Sequence, residues 1–173
     1  MKFFKTIFIT FIFLTCSVKA DLDQNLIKDL HQGGKLIFIR HAYAPGSGDP
    51  KNFNLNDCST QRNLNESGRE QSKNIGNLFS KYNIKIKSVY SSEWCRCKET
   101  ASIAFKKFET KTFLNSFYSS QFAKNRKKQV VEFLEFINNW DKEKNLVFIT
   151  HYVFISEILN YAPSSGEIVI TDK

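Results

Sequence analysis

The chain has 173 residues, enough for one domain, and its 42% hydrophobic and 24% charged residues exclude a disordered chain. Seventeen phenylalanines imply a compact core. A formal net charge of +8 suits nucleic acid, a membrane surface or an anionic substrate, and selects none of them.

In chain order, residues 1–20 read as a secretory signal peptide. "MKFFK" is a basic start, "TIFITFIFLTCSV" is an apolar run of 13 residues, and Val18 and Ala20 suit a cleavage site before Asp21. A membrane span needs about 18 apolar residues or more. An uncleaved anchor and lipidation at Cys16 are the competing readings; Phe13-Leu14-Thr15 makes a poor lipidation signal. Cleavage would remove Lys2, Lys5 and Lys19 and lower the net charge from +8 to +5. The remainder, residues 21–173, is expected to be a single domain in the periplasm or outside the cell. Much of the basic excess then serves targeting, which weakens the nucleic-acid reading.

"KLIFIRH" (35–41) is a buried strand, followed by a Gly/Pro/Ser loop to about residue 62. Residues 66–83 have helical spacing, with Ile75, Leu78 and Phe79 on one face. Residues 85–92 alternate as a strand, and 94–108 return to the helical period. Residues 110–117 are expected to be a short strand. Residues 126–143 form an amphipathic helix with Val130, Phe133, Leu134 and Ile137 inward. A strand (145–151), a helix (153–161) and a last strand (166–171) follow. His31 reads as a solvated loop residue, "KNRKKQ" (124–129) as a solvated helix start, and "SSGE" (164–167) as a turn.

Alternating β and α elements predict an α/β fold: a three-layer α/β/α sandwich with a mostly parallel sheet. Ligands bind such sheets beyond the C-terminal strand ends. Two strands end in histidine, at His41 and His151, and a third leads to a helix carrying Arg96. If these strands are neighbours, Arg40, His41, Arg96 and His151 collect at one edge. Such groups repel unless an anion joins them, which points to a phosphate-like dianion.

Three cysteines remain beyond the signal segment: Cys58, Cys95 and Cys97. Export favours one disulfide, from Cys58 to either Cys95 or Cys97. Three small buried side chains are the alternative. "CRC" lacks zinc-site spacing, so no metal is expected.

"LIFIRHA", "RNLNESGREQSKNIG", "SSEWCRCKETA" and "LVFITHYVFI" together resemble the histidine phosphatase superfamily, the phosphoglycerate-mutase-like branch. The likeness runs from about residue 35 to the end, in the family's order. It implies a phosphatase without cofactor or metal, acting on a phosphorylated small molecule or phosphoprotein. It implies His41 as the nucleophile that becomes phosphorylated. Arg40 and Arg96 would clamp the phosphate, and His151 would be the second pocket histidine. Arg62 matches an arginine of the short, phosphohistidine-phosphatase-like members and is carried as a substrate contact. The exported members it resembles favour a Cys58–Cys95 bridge. The chemistry is physically sound: a neutral imidazole attacks phosphorus, and guanidiniums stabilise the charge developing on its oxygens.

Two departures stand out. The family's R-H-G is Arg40-His41-Ala42 here. The family's acid, a carboxylate after the third strand, meets Asn115 and Ser116 instead. The proton donor is unassigned among Glu93, Asp57, Asp49 and Glu167. An acid-poor site favours good leaving groups such as phosphohistidine or acyl phosphate. Competing functions are a non-catalytic module that binds phosphate ligands or phosphoproteins, and a phosphatase of cell-envelope phospho-sugars.

Overall fold

The structure is a computed structural model and describes residues 23–173; the signal segment 1–20 and Cys16 lie outside the described residues. The elements are α1 (Gln24–Gln32), β1 (Leu36–Arg40), α2 (Glu66–Lys81), β2 (Ile86–Ser91), α3 (Cys95–Phe105), β3 (Glu109–Thr110), α4 (Ser120–Ala123), α5 (Arg126–Asn138), β4 (Asn145–Thr150), α6 (Tyr152–Leu159) and β5 (Ile168–Thr171). The five strands form one sheet in the order β3-β2-β4-β1-β5. All neighbours are parallel except β5, which runs antiparallel to β1.

Strand alternation divides the core into two layers. Leu36 and Phe38 of β1 face α5 and α6, where Phe133 and Phe154 are fully buried. Phe133 is the hub, with ring centroids 5.2 Å from Phe148 and 5.3 Å from Phe154. Ile37 and Ile39 face the other way, against Leu30 of α1, Ile75 and Phe79 of α2 and Ala101 of α3. Each large side chain so buried contributes about 1.5–3 kcal/mol. β1 and β4 have both faces covered, which explains their unbroken apolar sequences.

This topology positions the site. β4 lies between β1 and β2, and Arg40 pairs with Thr150. The next residue on each strand is a histidine. The backbone N–H of His41 donates to Thr150 O at 2.9 Å, and that of Ser92 donates to Ile149 O at 2.9 Å. Three strand ends therefore meet, and the chain after β2 turns at Trp94 into α3 to deliver Arg96.

Several expectations change. In place of a strand over residues 110–117, the two-residue β3 ends at Thr110 and a 3₁₀ turn, Thr112–Leu114, follows, because Phe113 and Leu114 both go inward. Gln129 Nε2 donates to the carbonyls of Thr112, Phe113 and Asn115 at 3.1, 3.2 and 2.8 Å, replacing a strand ladder. The buried face of α5 is accordingly Gln129, Phe133 and Ile137, while Leu134 is 49% exposed. α5 ends at Asn138, short of residue 143. His31 lies in the last turn of a helix that pattern reading missed, with Nε2 2.7 Å from Tyr82 O. Asp23 starts that helix by accepting from the N–H groups of Asn25 and Leu26 at 2.8 and 3.2 Å.

Candidate active site

His41 is 2% exposed and sits one residue beyond β1. Its Nδ1 is 2.8 Å from the carbonyl oxygen of Ala42. A carbonyl only accepts, so Nδ1 carries the proton and Nε2 of the neutral ring has a free lone pair. Burial, then the positive charge of Arg96, pushes the ring's pKa well below its ordinary 6.5. The neutral form is therefore the resting form. Ala42 is itself fully buried, and its N–H donates to Thr100 Oγ1 at 3.0 Å. Its φ is not positive, so the alanine in place of glycine brings no strain.

Arg96 reaches His41 from the first turn of α3: its Nε–H donates to His41 Nε2 at 3.2 Å. The guanidinium is also held by Asp49, with Nη1 to Oδ1 at 2.7 Å and Nη2 to Oδ2 at 3.2 Å. Burial pushes the Asp49 carboxyl up, but Arg96, the Arg62 N–H and the Trp94 indole together hold it below its ordinary 3.8. Arg40 rests its guanidinium over the Tyr152 ring, 5.2 Å from the centroid. Its Nη1 donates to Pro163 O at 2.9 Å, while Nε is buried with no partner among the described residues. Burial lowers the pKa of Arg40 and Arg62, and the charge of Arg96 adds to this. Both stay cationic, because an arginine loses its proton only far above neutral pH.

Arg62 fixes the loop after β1. Its Nε donates to Gly48 O at 2.8 Å, Nη1 to Ala44 O, and its backbone N–H to Asp49 Oδ1 at 3.1 Å. The same loop is tied to α3 by a disulfide between Cys58 and Cys95, with Cα atoms 5.7 Å apart. Gln61 Oε1 accepts from the Cys95 N–H at 3.0 Å, and Phe53 stacks on Trp94 at 5.1 Å. The remaining thiol, Cys97, is fully buried, and burial pushes its pKa up to about 12.

His151 completes the group, its ring centroid 5.4 Å from that of His41. Its Nε2 is 3.0 Å from Ser92 Oγ and 3.5 Å from Cys97 Sγ, and Trp94 packs edge-on at 5.3 Å. Burial, then Arg96 and His41, pushes its pKa well below 6.5.

Arg40, His41, Asp49, Arg62, Arg96 and His151 line one cavity of about 340 Å³, with Lys51, Tyr118 and Tyr152 among its walls. Its charged lining is Arg40, Lys51, Arg62 and Arg96 against the single carboxylate of Asp49, a net positive charge that suits an anion. Of the four carboxylates weighed as proton donor, only Asp49 lines the cavity. Glu93 accepts from Asn115 Nδ2 at 2.6 Å, Asp57 caps the turn at Ser59, and Glu167 accepts from Tyr161 and Ser164. Sequence reading missed the partnership of Asp49 with Arg96 and the roles of Trp94 and Tyr152; no spacing signals contacts so distant in the chain. Among the described residues, no cluster of three His, Cys, Asp or Glu side chains could hold a metal ion.

No curated protein matches the chain by sequence. Its fold is similar to the product of the open reading frame Rv3214 from Mycobacterium tuberculosis: 14% identity, 79% of this chain and 89% of that one, TM-score 0.59. The protein histidine phosphatase SixA, complexed with tungstate, aligns at 15% identity over 79% of this chain and 86% of its own, TM-score 0.55. Mycobacterial glucosyl-3-phosphoglycerate phosphatase Rv2419c, in complex with VO3, aligns at 13% identity over 79% and 91%, TM-score 0.56. The family model of the histidine phosphatase superfamily (branch 1) matches residues 36–116, the segment that carries Arg40, His41, Arg62 and Arg96. Over residues 36–116 the chain thus carries the pattern of the histidine phosphatase superfamily (branch 1), and it shares the fold of these solved structures.

Proposed function

We propose that this chain is a metal-independent phosphatase that hydrolyses a phosphomonoester or phosphoramidate through a phosphohistidine on His41. The observation that carries the reading is the bare Nε2 of His41. It is fixed by Nδ1 donating to Ala42 O at 2.8 Å and lies at a cavity floor lined by Arg40, Arg62 and Arg96. The substrate phosphoryl group displaces the Arg96 Nε–H from Nε2 and takes that donor onto one of its own oxygens. The Nε2 lone pair then attacks phosphorus, the bond to the leaving group breaks, and Arg40, Arg62 and Arg96 hold the charge on the equatorial oxygens. Water hydrolyses the phosphohistidine and restores the neutral ring. The tungstate complex of SixA and the VO3 complex of Rv2419c support an oxyanion occupant. Among the described residues no side-chain acid stands free in the cavity, so leaving groups that need little protonation, phosphohistidine or acyl phosphate, are the preferred substrates.

Export to the periplasm or beyond is part of the proposal. It is supported by residues 1–20 and by the Cys58–Cys95 bridge. Among the described residues no helix is long and apolar enough to cross a membrane.

The test is release of p-nitrophenol from p-nitrophenyl phosphate by residues 21–173, beside His41→Ala. Wild type should turn over and trap an acid-labile phosphoenzyme, and His41→Ala should lose both. Phosphate binding with no His41-dependent turnover on any substrate of a phosphate panel would instead make the chain a binding module.

A further inference from the structure

We propose that Asn115 is a positioning residue that decides which nitrogen of His151 carries the proton, leaving Nδ1 as a bare acceptor at the cavity, so that the site takes a phosphoryl group together with one proton. The second half rests on the phosphatase reading; the first does not.

Hydrogen-bond polarity along one chain of atoms carries the assignment. Asn115 Nδ2 is 2.6 Å from Glu93 Oε2, and Asn115 Oδ1 is 2.9 Å from the Glu93 backbone N. A flipped amide would set donor against donor and acceptor against acceptor, so the orientation is fixed. Oδ1 is therefore an acceptor, and the single proton of Ser92 Oγ goes to it at 3.1 Å. That leaves Ser92 Oγ able only to accept, which it does from the Trp94 N–H at 3.3 Å. A bare Nε2 on His151 would then face the Ser92 lone pairs at 3.0 Å, which is repulsive. Nε2 must carry the proton. In the neutral ring Nδ1 is bare, and it makes no hydrogen bond to any described residue while the ring lines the cavity. Cys97 Sγ, 3.5 Å from Nε2, is a weak donor and a poor rival to oxygen.

Asn115 is held to this task. Its N–H donates to Thr112 O at 3.0 Å, its carbonyl accepts from Gln129 Nε2 at 2.8 Å, and the neighbouring Leu114 carbonyl accepts from Thr150 Oγ1 at 2.6 Å. The two histidines thus hold opposite tautomers: His41 is protonated on Nδ1, His151 on Nε2. The groups around His151 are Arg96 and Cys97 from α3, His41 and Arg40 from the end of β1, Arg62 and Asp49 from the loop, Tyr152 beside it, and Glu93 behind Asn115. The cationic ones favour the neutral ring until an anion arrives. A phosphoryl dianion reverses that balance, and Nδ1 takes up a proton and donates it to a phosphoryl oxygen.

Nitrogen NMR of the labelled imidazoles tests the first half without any need for activity. Only three histidines require assignment. In the free protein at neutral pH, His151 should show a protonated Nε2 and a bare Nδ1, with His41 the reverse. Asn115→Leu frees the Ser92 hydroxyl to turn toward His151, and the His151 tautomer should shift toward protonated Nδ1. Asn115→Asp keeps the acceptor and should restore the wild-type pattern. Protonated Nδ1 on neutral wild-type His151, or an unchanged tautomer in Asn115→Leu, overturns the assignment. Tungstate, which carries no proton at neutral pH, tests the second half. Its binding should protonate His151 Nδ1 with uptake of one proton. Binding without uptake, or uptake on His41 instead, overturns this half. Failure of tungstate to bind overturns it together with the oxyanion site, while the tautomer is still read in the free protein.

Discussion

Asp49 occupies the fork of Arg96 that a phosphoryl group would otherwise use. A bidentate carboxylate is a close mimic of two phosphoryl oxygens, so on the proposed function a phosphorylated substrate would compete with an internal ligand. The pair is 3% and 17% exposed, and water screens it little. Two consequences oppose each other. The carboxylate orients Arg96 toward His41, and it weakens the site's hold on any anion. Asp49→Asn keeps the size and one acceptor but removes the charge. A charged hydrogen bond of about 1.5–3 kcal/mol no longer competes, so inorganic phosphate should inhibit about tenfold more tightly. The turnover number should fall at the same time, because Arg96 is less firmly aimed. Product-inhibition kinetics decide this: unchanged or weaker phosphate inhibition in Asp49→Asn contradicts the competition. Arg96→Lys is the companion case. A lysine has no fork and cannot reach Asp49 and His41 together, so kcat/KM should drop about 10²-fold or more.

At the scale of elements, the segment from β1 to α2 is held to the start of α3 by contacts that each bear on Arg96 or Arg62. The disulfide joins residues 37 apart, and Cys95 is the immediate neighbour of Arg96. By chain-entropy reasoning, closing a loop of that length stabilises the fold by about 4 kcal/mol before any native strain. Cys58→Ser should therefore lower the midpoint of denaturant unfolding, with a loss of about 2–4 kcal/mol. Because the bridge anchors the binding loop and not the strand ends, KM should rise by a larger factor than kcat falls. Equal stability of the oxidised protein and the variant, or a loss confined to kcat, would argue against this.

A close approach acts at the same junction: a Cβ on Gly68 would lie 2.1 Å from Tyr43 O. Backbone cannot give way as a side chain does, so Gly68→Ala should destabilise by about 1–3 kcal/mol despite the better helix propensity of alanine. Thermal unfolding reads it directly. The glycine was visible in the sequence as part of a motif, but its reason was not, since a contact between α2 and the loop after β1 has no local signature. The buried strands, by contrast, announce themselves, because "LIFIR" and "NLVFIT" are apolar throughout. Histidine at both ends made the four-residue convergence legible. Leu134 and Gln129 show where periodicity fails. A helical stripe fixes a face only to within one position, and here the need to satisfy three loop carbonyls puts a glutamine inside and a leucine outside. α1 was illegible because its inward residues are few and Asp23 is its sole strong start signal.

For the molecule as a whole, two imidazoles are kept neutral in the core, 2% and 3% exposed, beside a group of guanidiniums. This arrangement has a thermodynamic consequence that is independent of catalysis. In the unfolded chain each ring titrates near its ordinary 6.5, whereas in the folded chain burial holds both well below it. Between those values the unfolded state binds more protons, so acidification favours unfolding. Their contribution is fully present above about pH 6.5 and is lost as pH falls through the folded-state values. The slope approaches about 1.4 kcal/mol per pH unit for each ring. Asp49 acts in the same direction only at lower pH, because its folded value is depressed below an ordinary value of 3.8. The interval just below 6.5 therefore isolates the histidines. Urea unfolding at about pH 7.5 and about pH 5.5 should show the protein clearly less stable at the lower pH. His41→Asn should remove about half of that difference. A stability unchanged across this interval would mean that the folded rings bind protons as readily as those of the unfolded chain, so that burial is not what keeps His41 neutral.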